Sequence, residues 1–317
     1  MRVAILDDYQ SVALRSADWS ALAGRAELAA FADHLEDEAA LGERLRGFDA
    51  VVAMRERTPF PRSLLERLPL LRLLVTTGMR NAAIDVAAAR ERGVTVCGTR
   101  GLDYPTAELT WALILAITRR IPLEHAAVRA GRWQVELGEG LQGKTLGVLG
   151  LGRLGGQVAA VGRAFGMEVL AWSQNLTRER TAAAGVTLAA SLDALLAASD
   201  VVTIHLVLSG RTRGLLGAAQ LGRMRPSAYL VNTSRGPIVD EAALVRALRE
   251  RRIAGAALDV FDREPLPPGH PLLALDHVVL TPHVGYVTKE TYQVFYGDAV
   301  EDVVAFLDGA PVREIGA

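Results

Sequence analysis

Short, nearly unbroken apolar runs alternate with alanine-, leucine- and arginine-rich amphipathic stretches along almost the whole chain. RVAIL (2–6), DAVVAM (49–54), LRLLVTT (71–77) and VTVCG (94–98) read as strands. EAALGERLR (38–46) and IDVAAARERG (84–93) between them read as helices, the second stopped by Gly93. Strand, helix, strand at this spacing means βαβ units and a parallel sheet with helices on both faces. From Tyr104 to about Arg129 runs a long helical stretch bent near Pro122, then the glycine-rich segment GRWQVELGEGLQGK. A second series of strands starts after it: TLGVLG (145–150), MEVLAWS (167–173), DVVTIHL (200–206), AYLVNTS (228–234), AGAALDV (254–260) and HVVLTPH (277–283). DEAALVRALRE (240–250) reads as a helix with Asp240 as N-cap and Leu244 and Leu248 on one face. A last helix spans about Thr288 to Leu307.

A chain of 317 residues that restarts its α/β pattern in the middle is expected to form two domains. Half of the residues are hydrophobic, enough for large cores. Thirty-five basic against 36 acidic residues give a net charge of −1, which argues against a nucleic-acid binder. The single cysteine, Cys97, excludes an intrachain disulfide and a cysteine-rich metal site, and a reducing cytoplasm fits it. The first apolar run meets Asp7 and Asp8 at once and reads as a strand, not a signal peptide. LTWALILAIT, bounded by Glu108 and Arg119, is too short for a bilayer, so no membrane association is expected.

The first strand of the second series ends in Gly150-Leu151-Gly152-Arg153-Leu154-Gly155, a G-x-G-x-x-G that opens a helix. Gly150 permits the tight turn, Gly152 lets the backbone approach a pyrophosphate, and Gly155 lets the helix pack close to the sheet. The helix N-terminus offers unpaired N–H groups and a positive dipole end to phosphates. The next strand should end in the group that reads the adenosine ribose. It ends in Ser173 and Gln174, with no carboxylate to repel a 2′-phosphate and with Arg178 and Arg180 close by in sequence. The cofactor is therefore NAD or NADP. Three later segments put Arg235, Asp259 with Glu264, and His283 at or after strand ends, where ligands bind in such sheets. An arginine, a glutamate and a histidine suit chemistry on an α-oxo or α-hydroxy carboxylate.

GLGRLGGQVAAVGRAFGMEVLAW, NTSRGPIVDEAALVRAL, GAALDVFDREPLP and LTPHVGYVT, in that order, resemble the D-isomer-specific 2-hydroxyacid dehydrogenases. The resemblance implies two Rossmann-like, doubly wound parallel-sheet domains, the nucleotide-binding one (100–288) inserted into a flavodoxin-like substrate domain (1–99 with 289–317). It implies domain closure about hinges near 98–101 and 287–289, and a homodimer to which the helical stretch 104–130 contributes. Arg235 would bind the substrate carboxylate and carbonyl, its planar fork suiting bidentate recognition. His283 would be the general acid as hydride reaches the carbonyl carbon, with Glu264 fixing its tautomer and favouring the imidazolium. Asp259 would hold the nicotinamide carboxamide. Arg153 and Leu154 would lie at the pyrophosphate, and Thr106, Leu206, Thr233, Ser234 and Gly285 further along the cofactor.

In the first domain, VTTGMRNAAID resembles the family's G-x-G loop, whose N–H groups bind the substrate carboxylate. Gly78 matches its first glycine, Met79 follows, and Arg80 replaces the second glycine. MRERT puts Arg55 on another strand-end loop, at a position where some relatives carry an arginine for an anionic substrate tail. The expected substrate is a small anionic 2-oxo or 2-hydroxy acid, selected by Arg55 or Arg80. Tyr286 stands where a small residue or tryptophan is frequent, and narrows the pocket or caps the hinge. No further regulatory domain is expected after the last helix. Two alternatives remain open. Phosphite oxidation keeps the same Arg, Glu and His, whereas formate oxidation would place glutamine at Glu264. A dinucleotide-sensing protein like the C-terminal binding protein corepressors would share the fold without turnover.

Overall fold

The apolar runs build two separate parallel sheets. The computed structural model describes residues 1–316 and divides into two units, one made of Met1–Leu102 with the segment from Val287 onward, the other of Asp103–Tyr286. The first unit begins with β1 (Arg2–Ile5), β2 (Glu27–Ala30), α1 (Glu38–Leu45) and β3 (Ala50–Ala53). It continues with α2 (Arg62–Glu66), β4 (Leu73–Thr76), α3 (Val86–Glu91) and β5 (Thr95–Gly98). Strand order is β2-β1-β3-β4-β5, all parallel, the flavodoxin-like arrangement. Strands β3 and β4 are buried along their whole length, as their unbroken apolar character requires.

In the second unit come α4 (Pro105–Thr118), α5 (Ile121–Arg129), β6 (Thr145–Leu149), α6 (Arg153–Ala164), β7 (Glu168–Trp172), α7 (Arg178–Ala183) and β8 (Thr187–Leu188). Then follow α8 (Leu192–Ala198), β9 (Val201–Ile204), α9 (Ala218–Leu221), β10 (Tyr229–Asn232), α10 (Glu241–Arg249), β11 (Gly255–Leu258) and β12 (Val278–Leu280). The sheet runs β12-β11-β10-β9-β6-β7-β8, the Rossmann order extended by one strand. Helices cover both faces. Trp111, Ile114 and Ile117 of α4 and Val158 of α6 share a core with Leu146, Val148 and Val231. Leu195 of α8 and Leu244 and Leu248 of α10 share the opposite core with Val202, Ile204 and Leu230. Asp240 caps α10 as expected, its carboxylate accepting from the Ala243 N–H at 2.9 Å. A last helix, α11 (Lys289–Leu307), returns to the first unit.

Several expectations need correction. The stretch 104–130 is two helices, not one bent helix: Arg120 takes a left-handed φ of +54° between them. Pro122, in the first turn of α5, lacks the N–H and clashes with the preceding turn, so α4 ends before it. Strands β2 and β8 had no signal in the sequence. ELAA has no strand alternation and becomes a strand by pairing with β1, Arg2 opposite Glu27. The two units divide at 102/103 and 286/287. The Asp298 carboxylate of α11 accepts from the Arg100 N–H at 2.7 Å and from its guanidinium at 2.6 Å, which keeps residues 100–102 with the first unit. Thr288 caps α11 and belongs with that helix.

Helix α6 approaches the sheet so closely that a Cβ on Gly155 would stand 1.9 Å from the Gly150 carbonyl oxygen. The next residue, Gly156, has open space where its Cβ would be. Gly155→Ala is therefore expected to destabilise the protein by roughly 2 kcal/mol or more through the backbone clash. Gly156→Ala should instead stabilise it by about 0.5–1 kcal/mol, because alanine is the better helix former. Urea unfolding of the two variants would show opposite signs.

Candidate active site

Of the polar groups singled out in the second unit, Ser173, Arg235, Asp259, Glu264 and His283 lie at or after the ends of its parallel strands, whereas Thr106 lies on α4 and Arg178 and Arg180 on α7. After β6, Gly150 has a φ of +95°, and a Cβ there would sit 2.5 Å from the His205 carbonyl oxygen. The side chain of Leu206, after β9, lines the same turn at 3.0 Å from that position. Gly152 is the N-cap of α6 and is exposed, with nothing within 4 Å of its Cβ position. This turn lies where the strand order reverses, between β6 and β9. A bare backbone at the start of a helix of 12 residues fits a pyrophosphate, since no side chain fills the approach and the first N–H groups point at it. Arg153 is exposed, with its guanidinium 3.7 Å from Asp103, and Leu154 is half-buried. Ser173 is half-buried at the end of β7, where its carbonyl accepts from Leu176 at 3.1 Å, and Gln174 is exposed beside it. Arg178 and Arg180 are exposed on α7.

At the other side of the switch point, β10, β11 and β12 deliver Arg235, Asp259 with Glu264, and His283. Asp259 is fully buried, and its carboxylate accepts three hydrogen bonds: from Thr281 Oγ1 at 2.5 Å, Val284 N at 2.8 Å and Gly285 N at 2.9 Å. Burial pushes its carboxyl above the usual aspartate range, while these donors pull the other way. Asp259 thereby pins the loop that carries His283, whose backbone takes a left-handed φ of +53°. His283 Nδ1 lies 2.6 Å from Glu264 Oε2, and Glu264 Oε1 accepts from the Phe261 N–H at 2.9 Å. With Nδ1 engaged as a donor, Nε2 is the nitrogen left to exchange a proton. Tyr286 stands edge-on to the His283 ring, centroids 5.7 Å apart.

Arg235 is half-buried, and its guanidinium donates to the Ser234 carbonyl at 2.8 Å. The neighbouring Gly236 packs against the Phe261–Asp262 backbone so tightly that a Cβ would fall 2.1 Å from the Phe261 carbonyl carbon. That close approach sets the Arg235 loop beside the loop leading to Glu264. Threonines join the remaining segments. Thr106 Oγ1 donates to the Gly285 carbonyl at 3.1 Å, Thr110 and Thr233 share a hydrogen bond of 2.8 Å, and Ser234 Oγ donates to the Ile204 carbonyl at 2.7 Å.

In the first unit, Gly78 takes a φ of +94°, and its N–H is already given to Thr99 Oγ1 at 2.8 Å. Arg55, with a φ of +51°, lays its guanidinium over this glycine: a Cβ at Gly78 would meet Nη1 at 1.9 Å. The same Nη1 donates to the Thr77 carbonyl at 3.2 Å. Met79 and Arg80 are exposed. Among the described residues no cluster of histidine, cysteine, aspartate or glutamate could hold a metal ion.

Comparison with known proteins places the chain. The family described as D-isomer specific 2-hydroxyacid dehydrogenase, NAD binding domain, matches residues 111–285. A glyoxylate reductase of Aeropyrum pernix is 46% identical over 256 residues, covering 78% of this chain and 76% of the relative. The chain belongs to the D-isomer-specific 2-hydroxyacid dehydrogenase family. A D-3-phosphoglycerate dehydrogenase of Archaeoglobus fulgidus is 40% identical over 84% of this chain, which spans 51% of that relative's length. The crystal structure of a phosphoglycerate oxidoreductase from Vibrio cholerae superposes with a TM-score of 0.93 at 39% identity, covering 98% of this chain and all of that one. This dehydrogenase is an NAD(P)-dependent oxidoreductase of the D-2-hydroxyacid type with two parallel-sheet α/β domains.

Sequence reasoning passed over the residues that hold the site residues in place. Thr281 and Thr110 bind Asp259 and Thr233, and Thr99 and Asn81 bind Gly78 and the Arg55 carbonyl. Their partners are distant in sequence, and a lone threonine or asparagine marks no motif. In the dehydrogenase, Asp259→Ala would leave three donors without their acceptor. It is expected to destabilise the fold by roughly 3 kcal/mol in urea unfolding, against about 1 kcal/mol for Thr281→Val, which removes one of them.

Proposed function

We propose that this dehydrogenase transfers a hydride between NAD(P)H and a small 2-oxo acid, giving the D-2-hydroxy acid, and the reverse. The observation that carries the reading is the His283–Glu264 pair at 2.6 Å, on a loop pinned by a buried aspartate at the same sheet edge as the dinucleotide turn. The dinucleotide, held at Gly150, Gly152 and Gly155 with Arg153, Leu154 and Leu206 beside it, supplies the hydride. Ser173 and Gln174 take the adenosine ribose, and Thr106, Thr233, Ser234, Asp259 and Gly285 the nicotinamide half.

His283 gives its Nε2 proton to the carbonyl oxygen as the carbonyl carbon is reduced. Glu264 keeps the imidazole in the tautomer that leaves Nε2 available. Arg235 binds the carboxylate through its fork and polarises the carbonyl. On the first unit, Gly78 shapes the carboxylate loop through its backbone. Because the Gly78 N–H is given to Thr99, the N–H groups of Met79 and Arg80 are the ones that take the carboxylate. Of the two arginines expected to select the substrate, Arg55 is the better supported. It is half-buried and lies over Gly78, whereas Arg80 is exposed. The substrate class is then a 2-oxo acid with a second negative group. Exposed Ile121, Val128, Trp133 and Leu137, on α5 and just after it, are the surface we assign to a second copy in a homodimer.

NADH and NADPH oxidation with glyoxylate, hydroxypyruvate and oxaloacetate tests this reading. His283→Ala is expected to lower kcat by roughly 10²–10⁴ while cofactor affinity is retained. Cofactor binding without turnover of any 2-oxo acid would overturn it in favour of a sensor. Arg55→Met should raise KM for oxaloacetate by about tenfold and barely change KM for glyoxylate, as expected for a lost charge-assisted hydrogen bond. Equal effects on both acids would remove Arg55 from substrate selection.

A further inference from the structure

The first unit has its own switch point, between β1 and β3, and a buried ionic cluster occupies it. Asp7 follows β1 in a left-handed conformation, φ +57°, with 1% of its surface exposed. Leu6 N donates to the Val52 carbonyl and Asp8 N to the Phe31 carbonyl, so the turn is sewn to the strands on both sides. The Asp7 carboxylate spans two loops. One oxygen is 2.8 Å from Nδ1 of His34, after β2, and the other accepts from Oγ1 of Thr58, after β3, at 2.7 Å. Arg57 donates to the Asp7 carbonyl at 3.0 Å and lies over the Tyr9 ring, 4.7 Å from its centroid. A carboxylate so buried needs a nearby positive charge or a full set of donors, and the His34 imidazolium supplies both a charge and a donor.

The loop that Asp7 holds is the loop that carries Arg55. At its other end the Arg55 N–H donates to Thr77 Oγ1 at 2.9 Å, and the Arg55 carbonyl accepts from Asn81 at 2.6 Å. Residues 55–58 are thus fastened to the 77–81 segment on one side and to Asp7 on the other. We propose that His34 is a positioning residue for anion recognition. As the imidazolium it fixes Asp7, and through Thr58 and Arg57 it holds the loop so that Arg55 stays over Gly78. When His34 loses its proton the loop slackens, and acids with a second negative charge bind more weakly while singly charged acids do not. This rests on the assignment of Arg55 to such acids made above.

The charges facing His34 are Asp7 from the β1 turn, Arg57 from the loop after β3, and Asp33 and Glu36 from its own segment, with Asp33 itself paired to Arg44 of α1. The hydrogen bond to Asp7 raises the His34 pKa above the ordinary histidine value, and burial and Arg57 oppose the rise less strongly. With the folded value raised, the clamp is complete at mildly acid pH and is lost as pH climbs through that value.

The test is the ratio of KM for oxaloacetate to KM for glyoxylate, followed from about pH 6 to about pH 9, where both acids are fully ionised. A pH effect common to both substrates cancels in the ratio. In the wild type the ratio should rise by about fivefold across this range, the size expected when a charge-assisted hydrogen bond becomes a neutral one. His34→Gln should show the high ratio at every pH, with kcat for glyoxylate unchanged. A flat wild-type ratio overturns the proposal even if the variant does not fold, as does a variant that keeps the wild-type slope. Arg55→Met at about pH 6 separates the two readings. If it leaves the ratio low, the Arg55 assignment has failed. If it raises the ratio while the wild-type profile is flat, only the role of His34 has failed.

Discussion

A parallel sheet covered by helices on both faces has nowhere to put polar chemistry except at its strand ends. That constraint organises each unit of this dehydrogenase. In the second unit, Ile114 and Val158 press on one face, and Leu244 and Leu248 on the other, so the sheet interior is largely apolar. The carboxyl ends of β6, β7, β10, β11 and β12 carry the glycine turn, Ser173, Arg235, Asp259 and His283. Where strand order reverses, neighbouring loops diverge and leave room for a ligand. The first unit repeats the arrangement on a smaller sheet, with Asp7 and Arg55 following the two strands that flank its own reversal.

Buried carboxylates do the local organising. Asp259 accepts from one hydroxyl and two backbone N–H groups of the segment 281–285, and so defines a loop with a left-handed histidine in it. The His283–Glu264 contact is then a consequence of two loops that are each fixed independently, one by Asp259 and the other by the Phe261 N–H bonded to Glu264. Asp7 plays the corresponding part in the first unit, and Asp298 holds Arg100 by both its backbone and its guanidinium. Each of these carboxylates meets more than one hydrogen-bonding group, which is what makes a buried charge tolerable.

The fold and much of the candidate site were legible in the sequence because both depend on local patterns. Unbroken apolar runs fix buried parallel strands, and a G-x-G-x-x-G between a strand and a helix needs no distant partner to be read. Arg235, Glu264 and His283 stood out as polar groups at predicted strand ends. ELAA at 27–30 was not legible, since its pairing with β1 makes it a strand against its own composition. The break at Arg120 lay close to the Pro122 that marks it, yet whether a helix bends or ends there is settled by how its two halves pack.

The sequence by itself determined two α/β bodies, the dinucleotide turn, and the set of charged residues at strand ends. Only the tertiary structure decided which of these groups meet. Asp259 with Thr281, Gly78 with Thr99, Arg55 over Gly78, and Asp7 between His34 and Thr58 all join segments separated by about 20 residues or more. The physical reason is the parallel sheet. Its crossovers bring successive strand ends side by side while keeping them far apart along the chain, so periodicity reveals each end but not the neighbour it will bond.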